Sequence, residues 1–165
     1  MSTLAGSSVA VSHGSDRTKL LWVGGTVFDV VLDEGQTGGS IALLDQVGIR
    51  GDTTPMHVHH NEAEIFYVIE GGITAWSGED VVRLETGSAI YLPPDQPHAF
   101  GIHTATARII TVTSPAGFAN FVRAAGQPVS GDVPATWEFD IGAIMAAAPQ
   151  HAIDIVGPPP QLPST

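Results

Sequence analysis

The stretch from Gly51 to Gly71 constrains the fold of this chain more than any other, because it gathers histidines and a carboxylate beside a run of strand-forming residues. His57 and His59 are two residues apart, and side chains two apart in an extended chain share a face. A short polar corner follows, and Glu64 then opens an apolar segment. Burying these groups unpaired would cost several kcal/mol, whereas a divalent metal would satisfy them. The stretch therefore predicts a metal site.

The spacing of this stretch resembles the first motif of the cupin superfamily, G-x5-H-x-H-x4-E-x6-G. The second cupin motif, G-x5-P-x-G-x2-H-x3-N, is matched at Gly87, Pro93 and His98. It departs at Asp95 and Ile102, where Gly and Asn are usual, but neither departure removes a ligand and Asp tolerates turn conformations. Two motifs in this order are more specific than a lone H-x-H. The resemblance implies an all-β fold, the double-stranded β-helix or jelly-roll barrel, with short C-terminal helices.

The same resemblance implies a ligand set of His57, His59, Glu64 and His98 around one divalent transition metal, which could be Fe, Mn, Ni, Co or Zn. Three histidines and one glutamate leave one or two positions for water, substrate or dioxygen, which catalysis requires. The competing interpretation is a set of unrelated polar residues at turns. Glu62 is the best rival for the carboxylate ligand because it shares the parity of Glu64, although it lies within the corner.

The remaining histidines are weaker candidates. His60 has the opposite parity to its neighbour, so we expect it to face solvent rather than a metal. His103 lies five positions beyond the second-motif histidine, so it should face away from the metal, although it could touch a substrate near the barrel mouth. His13 and His151 are isolated in the sequence, and we expect them to be structural or exposed.

Length and charge limit the classes of partner. A chain of 165 residues is long enough for one domain with a sizeable core. Its 17 acidic and 6 basic residues give a net charge of −11, which disfavours nucleic acid and anionic membrane surfaces. No apolar run approaches the roughly 20 residues of a membrane span, and no signal peptide is visible. The absence of cysteine fits a reducing cytoplasm, which is the location we expect.

We divide the chain into three parts. Residues 1–18 form a flexible N-terminal segment, in which Val9 and Val11 could make a short strand. By the cupin resemblance, such a strand would join the sheet of a partner in a homodimer. Residues 19–113 form the barrel, because short strands follow one another without repeating helices between them. Residues 114–165 contain helices and a proline-rich tail.

Local signals place the two C-terminal helices. Ser114 and Pro115 are typical of the start of a helix, and the apolar spacing that follows ends near Gly126. Asp140 could cap a second helix, which Pro149 would stop. We expect both helices to be lids or buttresses on the outside of the barrel.

Apolar residues near the motifs would line a substrate pocket, although any barrel also buries such residues as core. The predicted pocket residues are Met56, Phe66, Tyr91 and Phe100. Arg50 is the sole basic residue next to the motif histidines, and no glycine-rich phosphate loop is visible. An apolar or aromatic small molecule with one or two oxygen donors therefore fits better than a highly anionic one.

The resemblance extends to small single-domain cupins of the quercetin dioxygenase type. It implies a metal-dependent dioxygenase that acts on an aromatic or enolic small molecule, with Glu64 as both ligand and general base. One alternative is a redox-neutral isomerase, cyclase or hydrolase that uses the metal as a Lewis acid. The other is a non-enzymatic module that binds a small ligand.

Overall fold

The computed structural model describes residues 9–22, 24–135, 137 and 140–164. Within them the chain forms twelve β-strands and three α-helices, with short 3-10 turns at Gly14–Asp16 and Ala148–His151. The strands are β1 (Lys19–Leu21), β2 (Val27–Leu32), β3 (Ala42–Ile49), β4 (Met56–His59), β5 (Ala63–Glu70), β6 (Gly72–Ser77), β7 (Asp80–Glu85), β8 (Ala89–Leu92), β9 (His98–Ile102), β10 (Thr106–Ser114), β11 (Gln127–Val129) and β12 (Ile153–Gly157). The helices are α1 (Glu34–Thr37), α2 (Phe118–Ala125) and α3 (Ile141–Ala147).

The strands form two antiparallel sheets. One has the order β11-β1-β2-β3-β10-β5-β8, and the other has the order β12-β4-β9-β6-β7. From β4 to β10 the chain passes repeatedly between the two sheets, so that β3 pairs with the distant β10 rather than with β4. This exchange is the pattern of a jelly roll. The all-β jelly-roll barrel with short C-terminal helices, predicted from the sequence, is confirmed.

Alternation along the strands decides which residues enter the barrel. In β5, Glu64, Phe66 and Val68 are buried, while the intervening Ile65 and Tyr67 lie on the exposed face. Phe66 and Val68 belong to an apolar cluster shared by β5, β6, β9 and β10. A second cluster joins β1, β2 and β3 to α2 and α3. Full burial of a side chain such as Phe66 contributes about 1.5–3 kcal/mol, so these clusters fix the strand register.

The start of α2 differs from the sequence prediction. We expected Ser114 and Pro115 to open the helix, but Ser114 is still paired with Ala63 at the end of β10. The helix begins at Phe118, with Gly117 as its N-cap residue. Sheet pairing therefore overrides the local helix-start signal and moves the helix three residues along the chain. The predicted end at Gly126 is confirmed.

The second helix begins as predicted, because the side chain of Asp140 accepts a hydrogen bond from the backbone N–H of Ala143. The sequence prediction contained no strands after residue 114, whereas the structure adds β11 and β12. β11 pairs with β1, and β12 pairs with all four residues of β4, with an irregularity at Val156. The alternating Ile153 and Ile155 are the signal for β12 that we missed.

The first part of the chain is described from residue 9 onward. Residues 9–13 form no strand within this single chain, so a strand that joins a partner's sheet stays a prediction. Residues 1–8, in the predicted flexible segment, lie outside the described residues. In the part of the chain that the structure describes, no helix has the length and apolar character needed to cross a membrane.

Candidate metal centre

Four side chains from three strands converge inside the barrel. His57 and His59 lie on β4, and His57 is directly opposite His98 of β9. Glu64 lies on β5, in the other sheet. The polar corner at residues 60–62 carries the chain from one sheet to the other, so Glu64 reaches the face that carries the histidines. Antiparallel pairing and the corner together explain the motif spacing.

The four groups are close enough to share one ion. One ligand atom from each of His57, His59, Glu64 and His98 lies within 4.8 Å of the others. The Nε2 atom of His98 is 3.2 Å from Oε2 of Glu64, and the ring centroids of His57 and His98 are 4.4 Å apart. His59 is only 1% exposed. Glu64 and His98 are also buried, whereas His57 is half-buried. Three imidazoles and a carboxylate are a donor set that divalent transition metals take.

Backbone carbonyls orient two of the histidines. Nδ1 of His57 is 2.8 Å from the carbonyl oxygen of Pro55. Nδ1 of His98 is likewise 2.8 Å from the carbonyl oxygen of Gln96. Because a carbonyl can only accept, each Nδ1 carries the proton and donates it, and the lone pair of a neutral ring lies on Nε2. Both rings are thereby prepared to offer Nε2 as a ligand.

His59 provides the test of whether a metal fits. Among the described residues, neither of its ring nitrogens has a hydrogen-bond partner, although both atoms are buried. An unpaired buried polar group costs about 1–3 kcal/mol. A divalent metal among the four groups would give one of these nitrogens a bond. The residues therefore fit Fe, Mn, Ni, Co or Zn, which His57, His59, Glu64 and His98 would hold.

Two pKa shifts describe the cluster without a metal. Burial, and then the nearby rings of His98 and His59, lower the pKa of His57 well below its ordinary value of 6.5. Burial also opposes protonation of His98, but the hydrogen bond and charge of Glu64 outweigh it and raise the pKa of His98. His57 is therefore neutral, as a ligand must be. The proton that His98 shares with Glu64 would leave when a metal binds.

Glu62, the rival carboxylate, lies outside the group of four but beside it. Its Oε2 atom is 3.8 Å from Nδ1 of His59, and the residue is only 4% exposed. The sequence analysis placed Glu62 within a polar corner and did not predict this burial. The carboxylate faces Nδ1 of His59 and does not belong to the cluster of His57, His59, Glu64 and His98.

His60 is exposed, as its parity predicted. Its two ring nitrogens contact Asp95 at 2.6 Å and Asp154 at 3.0 Å. The hydrogen bond with Asp95, and then that with Asp154, raise the pKa of His60. Asp95 has a φ of 62°, in the left-handed region where the second motif usually has Gly. Asp adopts this conformation more readily than most residues, which explains how the departure from the motif is tolerated.

His103 takes no part in the cluster. Its Nδ1 is 3.1 Å from Oγ1 of Thr74, and its Nε2 is 3.1 Å from Oε1 of Glu85. Thr74 lies on β6 and Glu85 ends β7, so the ring bridges neighbouring strands of the five-stranded sheet. The contacts of this histidine are therefore those of a structural residue.

A small cavity of about 40 Å³ opens beside the cluster and is touched by His57 and Glu64. Of the predicted pocket residues, Phe66 and Phe100 line it. A larger groove of about 490 Å³ lies between the N-terminal segment and α2, but none of the four clustered residues lines it. We therefore take the smaller cavity as the candidate substrate site, because it adjoins the chemistry.

Two predicted pocket residues, Met56 and Tyr91, do not line this cavity. Met56 directly precedes His57 in β4, so its side chain points to the opposite face of the sheet. Tyr91 is 61% exposed and is paired with the outward-facing Ile65 of β5. Strand alternation, which predicted the position of Phe66, excludes both.

Several residues that close the cavity were not singled out as pocket residues. They come from β2, β3, β10, β12, α2 and α3, and include Phe28, Gln46, Thr111, Phe118, Phe121, Ile144 and Ile153. The i, i+3 spacing of Phe118 and Phe121 marked one face of a helix, but the sequence did not reveal what that face covers. The helices therefore cap the cavity as well as packing on the barrel.

Comparisons with known proteins agree with this architecture. Residues 48–113 match the family model described as "Cupin domain". Quercetin 2,3-dioxygenase of Bacillus subtilis (strain 168) is 26% identical over 124 residues, which are 73% of this chain and 37% of that protein. An uncharacterized protein of Methanocaldococcus jannaschii is 30% identical over 57 residues, which are 34% of this chain and 46% of that protein. The chain thus spans less than half the length of either relative.

Solved structures show the same fold. KdgF from Halomonas sp. superposes with a TM-score of 0.58 at 18% identity, covering 64% of this chain and 93% of that one. Oxalate decarboxylase from Bacillus subtilis gives a TM-score of 0.59 at 18% identity, covering 72% of this chain and 31% of that one. The two motifs, the barrel and these matches agree on a cupin fold, and the cupin domain model covers residues 48–113 of the chain. Its buried cluster of three histidines and one glutamate could hold a metal ion.

Proposed function

We propose that this cupin is a metal-dependent dioxygenase that acts on a small enolic or aromatic molecule. The observation that carries the proposal is the buried cluster of His57, His59, Glu64 and His98 beside an apolar cavity. The similarity to a quercetin 2,3-dioxygenase over 73% of the chain supports the reaction type. In such a reaction both atoms of dioxygen enter the substrate, so no external reductant is consumed.

The four ligands would hold one divalent metal ion, which supplies Lewis acidity towards a substrate oxygen when it is bound. The protein's own contribution starts with Glu64, which touches the cavity and whose Oε2 is 3.2 Å from His98 Nε2. In this position Glu64 can take the proton of a substrate hydroxyl, which makes it the catalytic base of the proposal. A positioned general base contributes about 10²–10⁴ in rate.

The cavity limits the size of the substrate. Pockets for drug-sized ligands have volumes of about 300–1,000 Å³. This cavity has about 40 Å³ and is closed by Phe118 and Phe121 of α2 and by Ile144 of α3. A compact enol or diketone therefore suits the site better than a flavonol, which would need the two helices to move. The aromatic walls exclude water from the base and favour an apolar substrate.

The test is a metal analysis of protein purified without an affinity tag, followed by a dioxygen-uptake screen of the metal-loaded protein. Enols, diketones and flavonols are compared, with metal-free protein as the control. We expect uptake of one dioxygen per substrate consumed, fastest for compact enols. Absence of uptake for every class by fully metallated protein would contradict the proposal.

A redox-neutral reaction is the second candidate, because the same cluster of histidines and one glutamate would serve it. The oxalate decarboxylase of Bacillus subtilis shares this barrel, although the likeness is one of fold alone. A carboxylate base beside a Lewis acid also serves isomerisation, cyclisation or hydrolysis. Turnover that continues unchanged without dioxygen would select this candidate.

We also propose that the protein is a homodimer in the cytoplasm, in which the outer face of the larger sheet is covered by a second copy. Val47, Ile65, Tyr67 and Tyr91 are exposed on that face, and adjacent exposed apolar side chains favour association. Sedimentation at micromolar concentration should show twice the mass of the chain, and Tyr67→Glu should shift it towards monomer. A wild-type protein that sediments as a monomer would exclude the dimer.

A further inference from the structure

The three histidines of the cluster differ in what lies behind them. The Nδ1 atoms of His57 and His98 are both 2.8 Å from backbone carbonyl oxygens, which fix the orientation of the rings. Nδ1 of His59 has no backbone partner among the described residues. The polar atom that lies near it is Oε2 of Glu62, at 3.8 Å. Of the three histidines, His59 is thus the one whose Nδ1 faces a side chain rather than a backbone carbonyl.

Both atoms of this facing pair are buried and unsatisfied. In the described part of the chain, Nδ1 of His59 and Oε2 of Glu62 each lack a hydrogen-bond partner. At 3.8 Å the two atoms are beyond hydrogen-bond distance, but a small rotation of either side chain would close the gap. Two unpaired polar atoms in a dry interior are costly, and a hydrogen bond between them would remove that cost.

The start of α2 lies against the carboxylate of Glu62. Gly117 has ordinary helical angles, φ −60° and ψ −31°, so its backbone does not require glycine. A Cβ at this position would collide with Oε1 of Glu62. Glycine at 117 therefore leaves the space that the carboxylate occupies. The ring of Phe118, the first residue of α2, lies 5.0 Å from the ring of His59, so the helix touches both members of the pair.

We propose that Glu62 is a positioning residue for His59. Its carboxylate accepts a hydrogen bond from the N–H at Nδ1, which fixes the ring orientation and leaves the lone pair of Nε2 for the metal. Gly117 and α2 set the position of that carboxylate, so the helix that caps the cavity also orients one ligand. This inference rests on the proposed metal centre but is independent of the reaction catalysed there.

The experiment uses the full chain and four proteins: wild type, Glu62→Gln, Gly117→Ala and Glu85→Gln. The affinity for Zn²⁺ is measured by competition with a chromophoric chelator. The tautomers of the histidine rings are measured by nitrogen NMR on the metal-free proteins. Glu85→Gln is the matched control, because it removes a carboxylate from another buried histidine, His103, outside the group of four.

We expect Glu62→Gln to weaken Zn²⁺ binding by about 10–100-fold, the usual effect of losing the partner of a ligand histidine. Its amide can donate as well as accept, so His59 should change from one tautomer to a mixture. His57 and His98 should keep their tautomers. Gly117→Ala should act in the same direction by displacing the carboxylate, and Glu85→Gln should leave the Zn²⁺ affinity unchanged.

Wild-type affinity and an unchanged His59 tautomer in Glu62→Gln would overturn the role of Glu62. Weaker binding without a tautomer change would also overturn it, because the effect would then be one of charge alone. If Glu62→Gln does not fold, Gly117→Ala decides by the same two criteria. A wild-type protein that binds no Zn²⁺ refutes the metal centre itself, which separates that failure from a failure of the positioning role.

Discussion

His59 and His103 are both buried in this barrel, at 1% and 6% exposure, but their surroundings are opposite. Both ring nitrogens of His103 contact a side-chain oxygen at 3.1 Å, one on Thr74 and one on Glu85. Neither ring nitrogen of His59 has a hydrogen-bond partner among the described residues. The ring of His103 makes both of its hydrogen bonds within the protein, whereas the ring of His59 needs a further group to bond to its nitrogens.

The difference shows that burial alone does not mark a functional histidine. A carboxylate neighbour does not mark one either, since His103 has Glu85 and His98 has Glu64. What distinguishes the two is a buried ring nitrogen without a hydrogen-bond partner. Such an atom costs free energy unless a ligand supplies the missing bond. By that criterion we propose a binding role for His59 and a structural role for His103.

The largest expected effect comes from removing half of the ligand set. His57→Ala combined with His59→Ala should abolish metal binding, because the two remaining side chains, Glu64 and His98, are too few to hold the ion. Elemental analysis of the purified protein measures this directly. His103→Ala is the matched control and should retain the wild-type metal content. Equal metal content in the double variant and the wild type would show that the ion binds elsewhere.

The next effect separates ligation from proton transfer at Glu64. If this residue is the base, Glu64→Gln should reduce the single-turnover rate per bound metal by at least about 100-fold. Gln keeps the shape and one ligand oxygen but cannot accept the proton. Normalising the rate to metal content removes the loss that weaker binding causes. Equal rates per bound metal would leave Glu64 a ligand only.

A smaller effect is expected at the structural histidine. His103→Ala leaves the fully buried hydroxyl of Thr74 without its partner. We expect the free energy of unfolding of the metal-free protein to fall by about 1–3 kcal/mol, the cost of an unsatisfied buried group. Urea denaturation measures it. A variant as stable as the wild type would remove the contrast between the two histidines.

The smallest effect is expected at His60, which is exposed and bonded to Asp95 and Asp154. These carboxylates raise its pKa above 6.5 in the folded protein, so protonation favours folding. The contribution of His60 to the free energy of unfolding is fully present below the pKa that this histidine has in the unfolded chain. It is lost as the pH rises through the higher pKa of His60 in the folded protein. His60→Asn should therefore destabilise the metal-free protein at about pH 6 and have no effect at about pH 9. A destabilisation that persists at high pH would contradict this origin.

Sequence reasoning was correct where the alternation of side chains along a single strand decides which face a residue lies on. The spacing of His57 and His59 and the position of Phe66 follow from alternation along an extended chain. The same rule excludes Met56, which is adjacent to His57, and pairing with Ile65 excludes Tyr91. We had chosen these two residues by their apolar character near the motifs, and strand parity places both away from the candidate cavity.

The rest depends on contacts between distant segments. The burial of Glu62 requires α2 to lie against the corner, with glycine at 117, and no local pattern announces that contact. The cavity walls from Phe118 and Ile144 require the packing of two helices on the open side of the barrel. Sequence motifs therefore placed the ligand candidates but not the groups that orient and enclose them.

The pairing of β12 with β4 has a consequence for how the protein is made. During synthesis, β4 emerges from the ribosome long before Ile153–Gly157 is added to the growing chain. Until then the strand that carries His57 and His59 lacks a partner along one edge. The incomplete barrel would therefore carry His57 and His59 on a strand that lacks one of its two neighbours. We expect stable metal binding to follow translation rather than to accompany it.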